Sequence, residues 1–167
     1  MSDHREKPRN RSHEALERVR RLPWGLWLFS RIVCLKAPYF STIRPVFEEL
    51  EPGRARARLK CRRRVTNHLG TVHAIAQANL CEFVAGTMME ISMPREMRWI
   101  PRGLEITYLG RTKGRLYASC NLDGVDLTRQ QDVPVRVEVV DEHGEPMAEA
   151  TIPMYISPRK PGRDAKA

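Results

Sequence analysis

The stretch NHLGTVHAIAQANLCE, residues 67–82, contains Asn67, Gly70 and His73, and then, nine residues after that histidine, the single carboxylate Glu82 in an otherwise apolar run. Burying an ionised carboxylate without partners costs several kcal/mol, so an acid in a helix fit for a core needs a reason. Two are open. Glu82 can act as a general base or attack directly, with Asn67 and His73 orienting the reacting groups through their amide and imidazole. Alternatively, Glu82 lies at a subunit interface paired to an arginine, Asn67 only closes a turn and His73 only caps the helix. His68, adjacent to the motif, reads as a loop residue.

The elements that must position these residues can be read in order. From about Val72 to Ser92 the chain is Ala, Ile, Leu, Phe, Val and Met over a length beyond any ordinary strand. This predicts one long helix, apolar nearly all round and wrapped by something, with Pro94 closing it. Helical spacing places Ile75, Ala78, Asn79, Gly86 and Met89 on the face of Glu82. Upstream, LPWGLWLFSRIVCLK reads as an amphipathic docking helix, VFEELEPG as a short strand with a Pro-Gly turn, and RARARLKC as a half-buried strand with strict alternation. Downstream, LEITYLG, GRLYASCNLDG, VPVRVEVVDEHG and EPMAEATIPMYI have period two. GRTKGR is expected as the turn between the first two and EHGEP as the turn between the last two. The expected fold class is α+β, an antiparallel sheet of five or six strands curled over one central helix, plus the N-terminal amphipathic helix.

At 167 residues the chain supports one domain with a real core. Residues 22–157 are expected to form it, with 1–21 and 158–167 as basic, solvated tails. The net charge of +9 favours anionic partners, but much of the excess lies in those ends. No helix-turn-helix pattern or aromatic-rich recognition strand supports a nucleic-acid partner. The four cysteines are widely spaced without a CxxC, which indicates neither a metal site nor a disulfide framework and fits reduced thiols in the cytoplasm. The apolar stretch before residue 37 is too short for a membrane span and carries Arg31, although Trp24, Trp27 and Phe29 beside arginines would also suit peripheral membrane contact.

The order of elements and the motif resemble the hotdog-fold acyl-CoA thioesterases of the PaaI type, where an Asn, a Gly and a His close the loop before the central helix and an acid follows nine residues later. The resemblance to the hotdog family DUF4442 is longer, since APYFSTIRP, EPGRARARLKCRRRVTNHLGTVHAIA and MRWIPRGLEITYLG all look like its stretches in the same order. It implies a thioester hydrolase without a cofactor, acting on coenzyme A thioesters. It assigns Glu82, Asn67 and His73 to catalysis and Gly70, with the N–H groups of Ala74 and Ile75, to the oxyanion and substrate; Asn79, on the face of Glu82, joins the substrate site as a hydrogen-bond partner for that carboxylate. It also implies a homodimer or tetramer in which the loop of one chain faces the carboxylate of another. PaaI-like enzymes have His-Gly-Gly where this chain has His73-Ala74-Ile75, and Ile75 narrows the approach to the helix start, so non-catalytic acyl binding is the alternative. Arg62, Arg63, Arg64, Arg111 and Lys113 could meet the phosphates of coenzyme A, as could Arg98 and Arg102 on the same chemistry. A solvated face is the plainer reading for each.

Overall fold

The computed structural model describes residues 10–159. Helices α1 (Arg11–Arg20) and α2 (Gly25–Lys36) and a tight turn of helix at Pro38–Thr42 lead into strands β1 (Val46–Glu51) and β2 (Arg54–Lys60). Helix α3 (Ala74–Ser92) follows, then β3 (Met97–Pro101), β4 (Glu105–Tyr108), β5 (Arg115–Asn121), β6 (Gln131–Asp141) and β7 (Pro146–Pro158). The sheet runs β1-β2-β5-β6-β7-β3 with β4 also on β7, and every pairing is antiparallel.

The alternation in β2 has the expected consequence. Ala55, Ala57 and Leu59 are fully buried, while Arg54 and Lys60 stand in solvent. Val133, Val135, Val137 and Val139 of β6 are buried in the same alternating way. The buried face of the sheet closes on α3, whose Phe83 stacks on Phe47 of β1 at 4.4 Å and meets Phe40 edge-on at 5.3 Å. Ser30 joins α2 to this layer, donating to the Leu26 carbonyl and accepting the Phe47 N–H at 2.9 Å.

Three expectations are corrected. The sheet has seven strands, because the 13-residue β7 is long enough to carry both β3 and β4 along one edge. The segment GRTKGR is no hairpin turn: β4 pairs with β7 and β5 with β2 and β6, so residues 109–114 link strands that are not neighbours in the sheet. The stretch 1–21 is not a tail throughout, since α1 occupies most of its second half.

Asn10 explains that last correction. Its Oδ1 caps α1 by accepting the His13 N–H at 2.9 Å, and its Nδ2 donates to the carbonyls of Glu90 and Met93 at the far end of α3. Leu16 is then fully buried against the core. Residues 1–9 and 160–167, assigned above to the tails, lie outside the described residues. Among the described residues no helix is long and apolar enough to cross a membrane.

Candidate active site

The motif loop is built around Asn67. Its Oδ1 accepts the N–H groups of Leu69 at 3.0 Å and Thr71 at 3.2 Å, and its Nδ2 donates to Thr71 Oγ1 at 2.9 Å. The side chain that the resemblance assigns to catalysis is thus largely engaged in closing the loop within its own chain. Gly70 has φ +73, a conformation that favours glycine, so the turn needs it for backbone reasons. The loop is pinned to its surroundings by Val72 N–H to the Thr112 carbonyl at 3.0 Å and His73 N–H to the Val65 carbonyl at 2.8 Å.

His73 is the N-cap of α3, its Nδ1 accepting the Ile75 N–H at 3.0 Å. An imidazole that accepts at Nδ1 carries its proton at Nε2, so His73 presents a donor outward. The Ile75 N–H, expected as an oxyanion donor, is therefore already occupied. The N–H groups of Ala76 and Gln77 both point to the His73 carbonyl, which leaves the Ala74 N–H as the helix-start donor without a partner among the described residues. Tyr108 Oη donates to the Ala74 carbonyl at 3.1 Å and fixes this end of the helix to β4. Nothing in the sequence marked Tyr108 or Thr71, because each acts through a partner distant in the chain or through a plain hydroxyl.

Glu82 lies on the one strip of α3 that the sheet does not cover. Ile75 and Glu82 are exposed and Ala74, Ala78 and Glu90 half-buried, while the rest of the helix is buried. The acid therefore faces outward from the core-grade helix, which corrects the picture of a carboxylate sunk among apolar side chains. It forms no ion pair or hydrogen bond among the described residues. It borders a groove of about 590 Å³ between α2, the Pro38–Thr42 turn and α3, whose walls include Phe29, Ile32, Val33, Phe40 and Trp99.

Gly86 makes room in this groove for a side chain: a Cβ there would sit 3.1 Å from the Trp99 ring. Trp99 is in turn held by its indole N–H on Glu90 at 3.1 Å. Asn79, expected beside the carboxylate, turns instead into a hollow of about 150 Å³ shared with Arg64, His73 and Ile75. There its Nδ2 donates to Thr42 Oγ1 at 3.3 Å and its buried Oδ1 has no donor. Tyr39 borders both the hollow and the groove.

The family whose profile matches residues 25–156 is described as Domain of unknown function (DUF4442). The chain belongs to this family. Among solved structures it is similar to the genomics protein APC5556, at 37% identity and a TM-score of 0.78 over 89% of this chain and 98% of that one. It is also similar to PA5026 of Pseudomonas aeruginosa, a protein of unknown function called a probable thioesterase, at 21% identity and a TM-score of 0.72 over 83% and 97% of the two chains. The thioesterase HI1161 of Haemophilus influenzae follows at 9% identity and a TM-score of 0.66, over 75% and 87%. No curated protein matches the chain. The architecture is the hotdog fold, as the resemblance implied.

In this DUF4442 chain the five basic residues singled out for phosphate contact do not converge. Arg64 borders the small hollow, and the Lys113 side chain lies 4.0 Å from where a Cβ on Gly70 would be. Arg63 and Arg111 are exposed, while Arg62 turns away from the loop and donates to the Ile43 carbonyl at 2.6 Å. Arg98 and Arg102 are committed elsewhere, to Ser157 Oγ at 3.3 Å and to Asp132 at 3.0 Å. No group of three or more His, Cys, Asp or Glu side chains among the described residues is placed to hold a metal ion.

Proposed function

We propose that the protein is an acyl-CoA thioesterase whose active site is completed across a homodimer. The observation that carries this reading is Glu82, unpaired on the wall of a groove lined mainly by apolar side chains. Nine residues at 1.5 Å each put Glu82 about 14 Å along the helix from His73, too far for one substrate carbonyl to meet both in the same chain. A second, antiparallel copy of the uncovered strip brings the loop of one subunit opposite the acid of the other.

In this arrangement Glu82 takes a proton from water as the water oxygen attacks the thioester carbonyl. The Ala74 N–H, at the positive end of α3, and the Nε2–H of His73 hold the oxyanion that forms. Collapse of the tetrahedral species breaks the carbon–sulfur bond, and the proton held by Glu82 leaves with the thiolate, giving a carboxylic acid and free coenzyme A. The acyl chain occupies the groove, a volume in the range of organic-ligand sites.

A second reading, non-catalytic acyl-CoA binding, is favoured by one specific contact: the Ile75 N–H is held by His73 and not free for an oxyanion. A panel of acyl-CoAs from acetyl to palmitoyl, with thiol detection and a parallel binding measurement, separates the two. Turnover well above background supports the enzyme; binding of the whole panel without turnover supports the module.

A further inference from the structure

Helix α2 has a second working side. Phe29, Ile32 and Val33 face the apolar groove, whereas Trp27 and Arg31, one turn apart, face a cavity of about 500 Å³ against β1 and β2. Arg44, Arg58, Lys60 and Arg62 close that cavity, and among the described residues no carboxylate lines it. Glu48 reaches Arg58 Nε at 3.5 Å but also serves Arg56 at 3.4 Å.

Two features set this apart from a solvated basic face. Arg31 donates to the Pro45 carbonyl and Arg62 to the Ile43 carbonyl, yet the Nε of each is buried with no hydrogen-bond partner. A desolvated guanidinium N–H left unmade is costly, and surface arginines avoid it by staying in water. Burial, followed by the neighbouring Arg44, Arg31 and Arg64, holds Arg62 below the usual guanidinium range. Arg44 has φ +48 and, among the described residues, is the only non-glycine with a positive φ. The chain thus adopts a conformation that L side chains rarely take at the residue that brings a further cation to the cavity.

We infer that this cavity binds a phosphate group carried on an organic molecule, through Arg31, Arg44, Arg58, Lys60 and Arg62. Several forked guanidinium donors suit the three oxygens and the double charge of a phosphate better than a single carboxylate. The volume exceeds what a bare ion fills, and Trp27, 48% exposed at the rim, offers an aromatic wall to the carrier. A soluble nucleotide and a phospholipid headgroup share this chemistry; the exposed Leu22, Trp24 and Leu35 beside the cavity's helix bring the second into question. The inference is independent of thioester hydrolysis.

The test measures binding of adenosine diphosphate and inorganic pyrophosphate by thermal shift and titration calorimetry, and co-sedimentation with phosphatidylglycerol against phosphatidylcholine vesicles, all at one ionic strength. Arg44→Gly removes a guanidinium and relieves the positive φ, so it keeps the fold; Arg58→Gln is a second variant on the half-exposed face of β2. The parent is expected to gain about 5 °C in Tm at a ligand concentration a hundred times Kd. Each variant is expected to bind at least about tenfold more weakly. Capture by phosphatidylglycerol vesicles alone, lost in both variants, assigns the phosphate to a lipid. Failure of every probe to bind, or equal binding by parent and variants, overturns the inference.

Discussion

His73 Nδ1 accepts the Ile75 N–H at 3.0 Å, so one imidazole caps the central helix and withdraws a donor that a substrate oxygen would otherwise use. The same bond fixes the proton on Nε2, on the solvent side of the loop. In the proposed mechanism the His73 imidazole N–H would take the place of the backbone donor that Ile75 no longer offers.

Capping and donation can be separated by substitution. His73→Ala loses both and should lower stability by about 1 kcal/mol in urea unfolding. His73→Asn keeps a capping side chain and should unfold close to the parent, yet still hydrolyse acyl-CoA poorly because Nε2–H is gone. Full activity in His73→Asn would reduce the residue to a cap.

How far the sequence reveals this molecule depends on the range of the interaction. The alternation of Arg54 to Cys61 and the length of the apolar run after Val72 are local signals, and both elements form as they read. The sharing of β7 by β3 and β4 is not local: turn residues such as Gly110 reverse the chain but do not choose its partner strand. Asn10 lies among charges typical of a tail, and only its contacts with Glu90 and Met93, some eighty residues away, make it a cap at both ends. At the candidate site, the motif spacing marks the turn before α3 and the acid nine residues on, and the turn forms where it reads. It could not say that Ile75 and Ala78 form an open strip with Glu82, because an apolar stripe covered by its own sheet and one left uncovered look alike.

The thiols give a prediction tied to pH. Burial pushes both Cys81 and Cys120 up to about 12, and raises Cys34 as well, while Cys61 is half-buried. Brief alkylation of the native protein at pH 8, followed by mass spectrometry, should label Cys61 first and leave Cys81 and Cys120 intact. A thiol whose folded pKa lies above its unfolded value stabilises fully below the unfolded value of 9.0 and progressively less as pH rises toward 12. Unfolding free energy should thus fall through that window by up to about 1.4 kcal/mol per pH unit for each thiol. Replacing Cys120 by Ala should flatten the fall; an unchanged slope would contradict the assignment.

If the site spans two subunits, two dead variants can complement each other. Glu82→Gln and His73→Ala subunits, refolded together in equal amounts, should recover about a quarter of the parental rate, since half the dimers are mixed and each holds one intact site. No recovery in demonstrated mixed dimers would place the acid and the loop in separate roles.

The most direct measurement is the steady-state release of coenzyme A by Glu82→Gln, on the best substrate of the parent, alongside its thermal unfolding. Loss of a general base predicts a fall in kcat of at least about a hundredfold. Because Glu82 has no partner among the described residues, Tm should stay within about 2 °C of the parent. A variant that releases coenzyme A as fast as the parent would remove Glu82 from the chemistry.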